Sequence, residues 1–127
     1  MNGERDLIEV NEECNAYPYK ADPPGVDDWS ELDPDGGDCD SYSISKLIRL
    51  YKRGWPIESL RLATCMVEGT RVENHCVLVV VFDGNEYVLD NRQRGLQSLN
   101  DLDAIGYTPC RIQKKGGSRS WVEWLWQ

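Results

Sequence analysis

Apolar positions along the chain follow two rhythms, and the rhythm changes once. Residues 5–14 place Leu7, Ile8 and Val10 at weakly helical spacing, which predicts a short first helix. Residues 41–53 carry Ile44, Leu47, Ile48 and Tyr51 on one face of a 3.6-residue period, and Gly54-Trp55-Pro56 then stops the helix. From residue 59 the period shortens to two. Residues 59–67 alternate Leu60, Leu62, Thr64 and Met66 with Arg61, Ala63, Cys65 and Val67, a strand covered on both sides. The run His75–Phe82 is apolar and β-branched on both faces, which predicts a central strand. Asp83-Gly84-Asn85 is a hairpin signal, and residues 86–90 return. A helical turn near residues 99–105 precedes a closing hairpin, 107–113 and 120–126, around Lys114-Lys115-Gly116-Gly117. Helices first and antiparallel strands after them predict an α+β fold in one domain, residues 1–127.

Two stretches fall outside these rhythms. Residues 15–37 read as a long loop with Pro18, Pro23, Pro24, Pro34, Gly25, Gly36 and Gly37. Tyr17, Tyr19 and Trp29 are the side chains expected to pin it to the core, and a loop of that length commonly wraps a site. The C-terminus holds Trp121, Trp124 and Trp126. As a strand it puts Val122, Trp124 and Trp126 on one face and Trp121 and Leu125 on the other. Core packing of that edge strand is the first expectation, and a peptide groove or protein-partner surface the second.

Charge and cysteine usage narrow the classes. A net charge of −8 excludes nucleic acid and anionic membrane as partners, because both would be repelled. The longest apolar run, 76–82, is far short of a membrane span. No apolar signal segment opens the chain, which fits a cytoplasmic setting, or a periplasmic one if a leader has been removed. Five cysteines without a CxxC fit a reduced protein, and one histidine leaves no ordinary zinc site.

Candidate chemistry centres on Gly36-Gly37-Asp38-Cys39-Asp40-Ser41-Tyr42. With Asp40 or Ser41 capping the helix, Cys39 stands at its N-terminal mouth, where N–H groups and dipole favour a thiolate. Any Cys–His chemistry must use His75, the only histidine. If residues 82–85 make a four-residue connection, Val81 faces Glu86 and His75 lies diagonal to Asp90 on one face. A tight Gly84-Asn85 turn would instead carry His75 about 13 Å from Asp90. The reading therefore expects a wide loop or a bulge there. On it, Cys39 attacks, His75 moves the proton and Asp90 fixes the imidazole.

The segments Val10-Asn11, Asp28-Trp29, Gly37-Asp38-Cys39-Asp40-x-Tyr42, Lys46, Gly54-Trp55-Pro56, His75-Cys76-Val77-Leu78-Val79 and Val88-Leu89-Asp90-Asn91 resemble the bacterial transglutaminase-like cysteine peptidases. The resemblance spans about residues 10–126 and implies a papain/transglutaminase-like fold with a Cys39–His75–Asp90 triad. That family includes calcium-dependent periplasmic proteases that clip biofilm adhesins, in which acidic residues beside the cysteine bind calcium. Carried over, these are Asp38 and Asp40. A divalent cation there would cancel a carboxylate field that opposes the thiolate. Asp40 stands where the family usually has Glu, Ser41 where Asp is common, and the region before Val10 is short. The adhesin role is therefore not carried over; a trimmed cytoplasmic or phage-encoded relative fits better. The implied activity is thiol-dependent cleavage of a peptide or isopeptide bond in a protein or peptide substrate. A deamidase or acyl transferase with the same triad, or a catalytically silent binding module, are the alternatives.

Overall fold

The computed structural model describes residues 3–21, 30–69, 71–116 and 119–126. Trp29, a candidate anchor of the long loop, lies outside them. Helix α1, Glu4–Asn15, is followed by α2, Cys39–Lys52. A single 3-10 turn, Ile57–Ser59, leads into β1, Leu60–Met66. Next come β2, His75–Phe82, β3, Asn85–Leu89, the short α3, Leu99–Ala104, β4, Thr108–Gln113, and β5, Trp121–Glu123. The strands form one antiparallel sheet in the order β3-β2-β1-β4-β5, as the change of period predicts.

Both faces of the sheet are covered, and this is why β2 is apolar throughout. Leu78 and Val80 pack with Leu60 and Leu62 under Leu7, Val10 and Leu50 of the two helices. Val77 and Val79 pack on the opposite face with Ala63, Cys65, Val88 and Leu102. No helix among the described residues is long and apolar enough to cross a membrane.

Three local expectations are corrected. The cap of α2 is Asp38, whose carboxylate accepts from the Ser41 N–H at 3.3 Å, so Cys39 is the first helical residue. The β2–β3 hairpin is neither wide nor bulged: Phe82 pairs with Asn85 across a two-residue Asp83-Gly84 turn. Both turn residues have positive φ, 53° and 78°, as such a turn requires. The tight turn sits one residue earlier than Gly84-Asn85, so Val81 still faces Glu86. Finally, the C-terminal strand stops at Glu123. Trp124 turns inward, 4% exposed, and meets Trp126 edge to face at 5.2 Å, while Val122 stays exposed. The tryptophans at 124 and 126 serve the core.

The segment ahead of α2 is held by a close backbone approach. Gly37 pairs with Tyr19 through a bridge in which Lys20 N–H donates to the Gly37 carbonyl at 2.8 Å. Gly36 has φ of 108°, and a Cβ there would lie 1.8 Å from the Pro18 carbonyl oxygen. Gly36→Ala should therefore cost about 2–4 kcal/mol of stability, from the positive φ and the backbone clash together. An unchanged urea midpoint would show that residues 18–20 do not dock here.

Candidate active site

Cys39 reaches the sheet at the start of β2. Its sulfur receives the backbone N–H of Cys76, the residue after His75, and a second N–H from Asp40. Its thiol donates to Asp40 Oδ1 at 3.8 Å. Burial pushes the thiol up to about 12, the carboxylates of Asp40 and Asp38 add to that, and the two N–H groups only partly oppose it. The thiolate expected from the helix mouth is thus outweighed by desolvation and two neighbouring negative charges.

The β2–β3 register places Asp90 opposite Val77 and diagonal to His75. His75 is 5% exposed and Asp90 is wholly buried, and their side chains meet at 2.6 Å between Nε2 and Oδ1. Asp90 accepts three further hydrogen bonds. Tyr107 Oη–H donates to Oδ2 at 2.6 Å, Arg92 N–H to Oδ1 at 2.9 Å, and Asn15 Nδ2 to the backbone carbonyl at 3.2 Å. Burial alone would push the Asp90 carboxyl up. The bonds from His75, Tyr107 and Arg92 outweigh it and hold the group below the usual carboxylate range. An ionised carboxylate only accepts, so the bridging proton sits on His75 Nε2 and Nδ1 is left as the basic nitrogen. The Tyr107 ring also stands edge-on to the imidazole at 5.7 Å and fixes its tilt.

Because its folded pKa is depressed, Asp90 stabilises the fold above the unfolded carboxylate value of about 4 and loses that contribution as pH falls below it. Asp90→Asn should flatten stability between pH 4 and pH 2. Thermal melts across that range check this, and an unchanged acid limb would mean that Asp90 is not ionised in the folded protein.

Cys39 and His75 open into one cleft of about 520 Å³, with Asp38, Asp40, Tyr19, Thr64, Glu73, Asn74, Arg111 and Trp121 around it. Tyr19 is exposed but ordered by stacking on Tyr42, ring centroids 6.4 Å apart and 9° from parallel. On the same cleft, Arg111 pairs with Glu73 at 2.5 Å and lies 5.8 Å from the Trp121 ring centroid. Glu73 also takes the Thr64 hydroxyl. Sequence reasoning missed Tyr107, Arg111 and Glu73 as site residues, because segments far apart in sequence bring them there.

Asp38 and Asp40 offer hard oxygens that suit calcium in kind. They do not reach its usual six to eight ligands alone, and one Asp38 oxygen is engaged at the helix cap. Among the described residues no group of three or more His, Cys, Asp or Glu could hold a metal ion. A calcium ion here would draw its remaining oxygens from backbone and water.

A cysteine opening a helix, packed on an antiparallel sheet whose second strand carries a histidine bonded to an aspartate just past the third, defines a transglutaminase-like cysteine peptidase fold. The family described as bacterial transglutaminase-like cysteine proteinase matches residues 2–125, and the chain belongs to it. Membership makes it a cysteine peptidase by class. Among solved structures, the fold matches Legionella pneumophila LapG in a calcium-bound form, with TM-score 0.73 and 21% identity over 94% of this chain and 68% of that one. It also matches an EGTA-treated form, with TM-score 0.68 and 23% identity over 92% and 69%. No curated protein sequence matches the chain.

Proposed function

We propose that this chain cleaves a peptide or isopeptide bond in a protein or peptide substrate through a thioester on Cys39. The observation that carries the reading is the buried His75–Asp90 pair, 2.6 Å apart, whose histidine lines one cleft with Cys39. His75 Nδ1 takes the Cys39 proton as sulfur bonds to the substrate carbonyl carbon. N–H groups at the start of α2 stabilise the oxyanion. The carbon–nitrogen bond then breaks, and the amine leaves with the proton from His75. Water, deprotonated by His75, attacks the thioester and releases the acid and the free thiol. Asp90 holds Nε2–H throughout and remains ionised.

Asp38 and Asp40 are the residues that would hold calcium, which would offset the carboxylate field at the sulfur. An acyl transferase would use an amine where water acts here, and a deamidase would release ammonia. Incubating the protein with a denatured protein mixture and sequencing new N-termini, with Cys39→Ala in parallel, tests hydrolysis. New termini that also arise with Cys39→Ala would overturn the assignment.

A further inference from the structure

Lys46 lies in the middle of α2 and is wholly buried. Its Nζ has no hydrogen-bond partner among the described residues. Taking an ammonium out of water on those terms is costly, and a methionine would fill the same space. Packing therefore does not account for the charge.

The groups facing it come from every neighbouring element. Cys14 of α1, Asp90 at the end of β3 and Cys76 of β2 act on it electrostatically. The Tyr42 ring of α2 lies 6.0 Å from Nζ. Burial pushes both thiols up, so Cys14 and Cys76 are neutral, and Asp90 is the one anion of the set. Asn11 and Asn15 flank Cys14 on the same face of α1. Each has an amide oxygen without a partner among the described residues, and Asn15 bonds the Asp90 carbonyl.

We infer that Lys46 is a positioning residue, whose buried ammonium is the standing counter-charge that keeps Asp90 an ionised acceptor for His75 Nε2–H. The inference rests on the Cys39–His75–Asp90 reading above. Contacts from His75, Tyr107 and Arg92 weigh more on Asp90 than a through-space charge does. Tyr107 and Arg92 act there through a hydroxyl and a backbone N–H, neither of them charged. His75 is positive only when protonated, and the Arg92 guanidinium is tied to Glu68 at the surface. In the neutral-imidazole state, the one that accepts the Cys39 proton, Lys46 is the buried cation facing Asp90. Burial pushes its ammonium down to about 8, against Cys14, Asp90 and Cys76, which leaves it charged at neutral pH.

The test uses the low-field proton resonance of His75 Nε2–H in the 127-residue chain, followed by NMR from pH 7 to pH 2. With one histidine in the chain, nitrogen-15 labelling of histidine assigns the signal to this contact and separates it from the Tyr107 hydroxyl on the same carboxylate. In Lys46→Met the pH below which the signal is lost should rise by about one unit, a tenfold change in Asp90 proton affinity. Lys46→Arg, which keeps the charge, should stay at the wild-type limit. Melting of Lys46→Met at or above the wild-type temperature shows the fold intact, and Lys46→Gln carries the same test should Met not fold. An unmoved limit in the neutral variants, or an equal shift in Lys46→Arg, overturns the role of Lys46. A low-field signal that survives Asp90→Asn overturns instead the His75–Asp90 orientation beneath it.

Discussion

His75→Ala is expected to slow alkylation of Cys39 by iodoacetamide at pH 7 by about 100-fold or more, with the modified residue identified by peptide mass. With the thiol held at about 12 by burial and two carboxylates, the sulfur alone is far less available than an ordinary cysteine. Its reactivity must therefore come from a base, and the chain has one imidazole. Asp90→Asn should lower peptide hydrolysis by about 10²–10⁴-fold while leaving the chain folded, since an amide at that position favours the wrong tautomer. Cys39→Ala should abolish turnover. If His75→Ala alkylates as fast as the wild type, the catalytically silent binding module becomes the better reading. The same result would leave the fold and family untouched.

Calcium should accelerate alkylation of Cys39 and EGTA should reverse it, and the sign follows from the charges. Asp38 and Asp40 both raise the thiol pKa, and Asp40 also accepts the S–H hydrogen bond, which favours the protonated form. A cation held by them weakens both effects and lowers the pKa. Asp40→Asn separates the field from the ion. In EGTA it should react about tenfold faster than the wild type, because one unit charge beside the sulfur is gone. With calcium present it should lose most of the response, because a ligand is gone. Equal rates in calcium and EGTA for both proteins would remove calcium from the mechanism. A response that survives Asp40→Asn unchanged would place the ion elsewhere.

The rim of the cleft bears on substrate choice. Trp121, Arg111 and Tyr19 present aromatic and guanidinium surface around the two proposed reacting residues. Arg111 is already paired with Glu73, so a substrate carboxylate would have to compete with that pair.

Much of this was legible in the residues themselves. The shift from a 3.6 to a 2 period separates α1 and α2 from the sheet, and the doubly apolar run His75–Phe82 marks the central strand. One cysteine at a glycine-led helix start, one histidine opening a strand and one aspartate closing the next restrict the chemistry to a short list. Hydrophobic period and turn residues are local quantities, which is why a sequence carries them. The register of β2 on β3 was nearly local too. It turned on which two of Asp83, Gly84 and Asn85 make the turn, and Asp83 in the left-handed region decides it.

What only the tertiary structure decided depends on groups that meet across the sheet. Tyr107 lies 17 residues beyond Asp90, yet α3 and its exit return it to the carboxylate at 2.6 Å. Trp124 leaves the strand face that alternation assigned to it because the second core accepts its ring. Lys46 shares its helix with exposed Tyr51, and only the tertiary packing shows that it is wholly buried. Whether Cys39 is a thiol or a thiolate depends on the sum of burial, carboxylates and N–H donors. Such a sum has no period along the chain: the motif names the candidate nucleophile, and three-dimensional packing sets the charge around it.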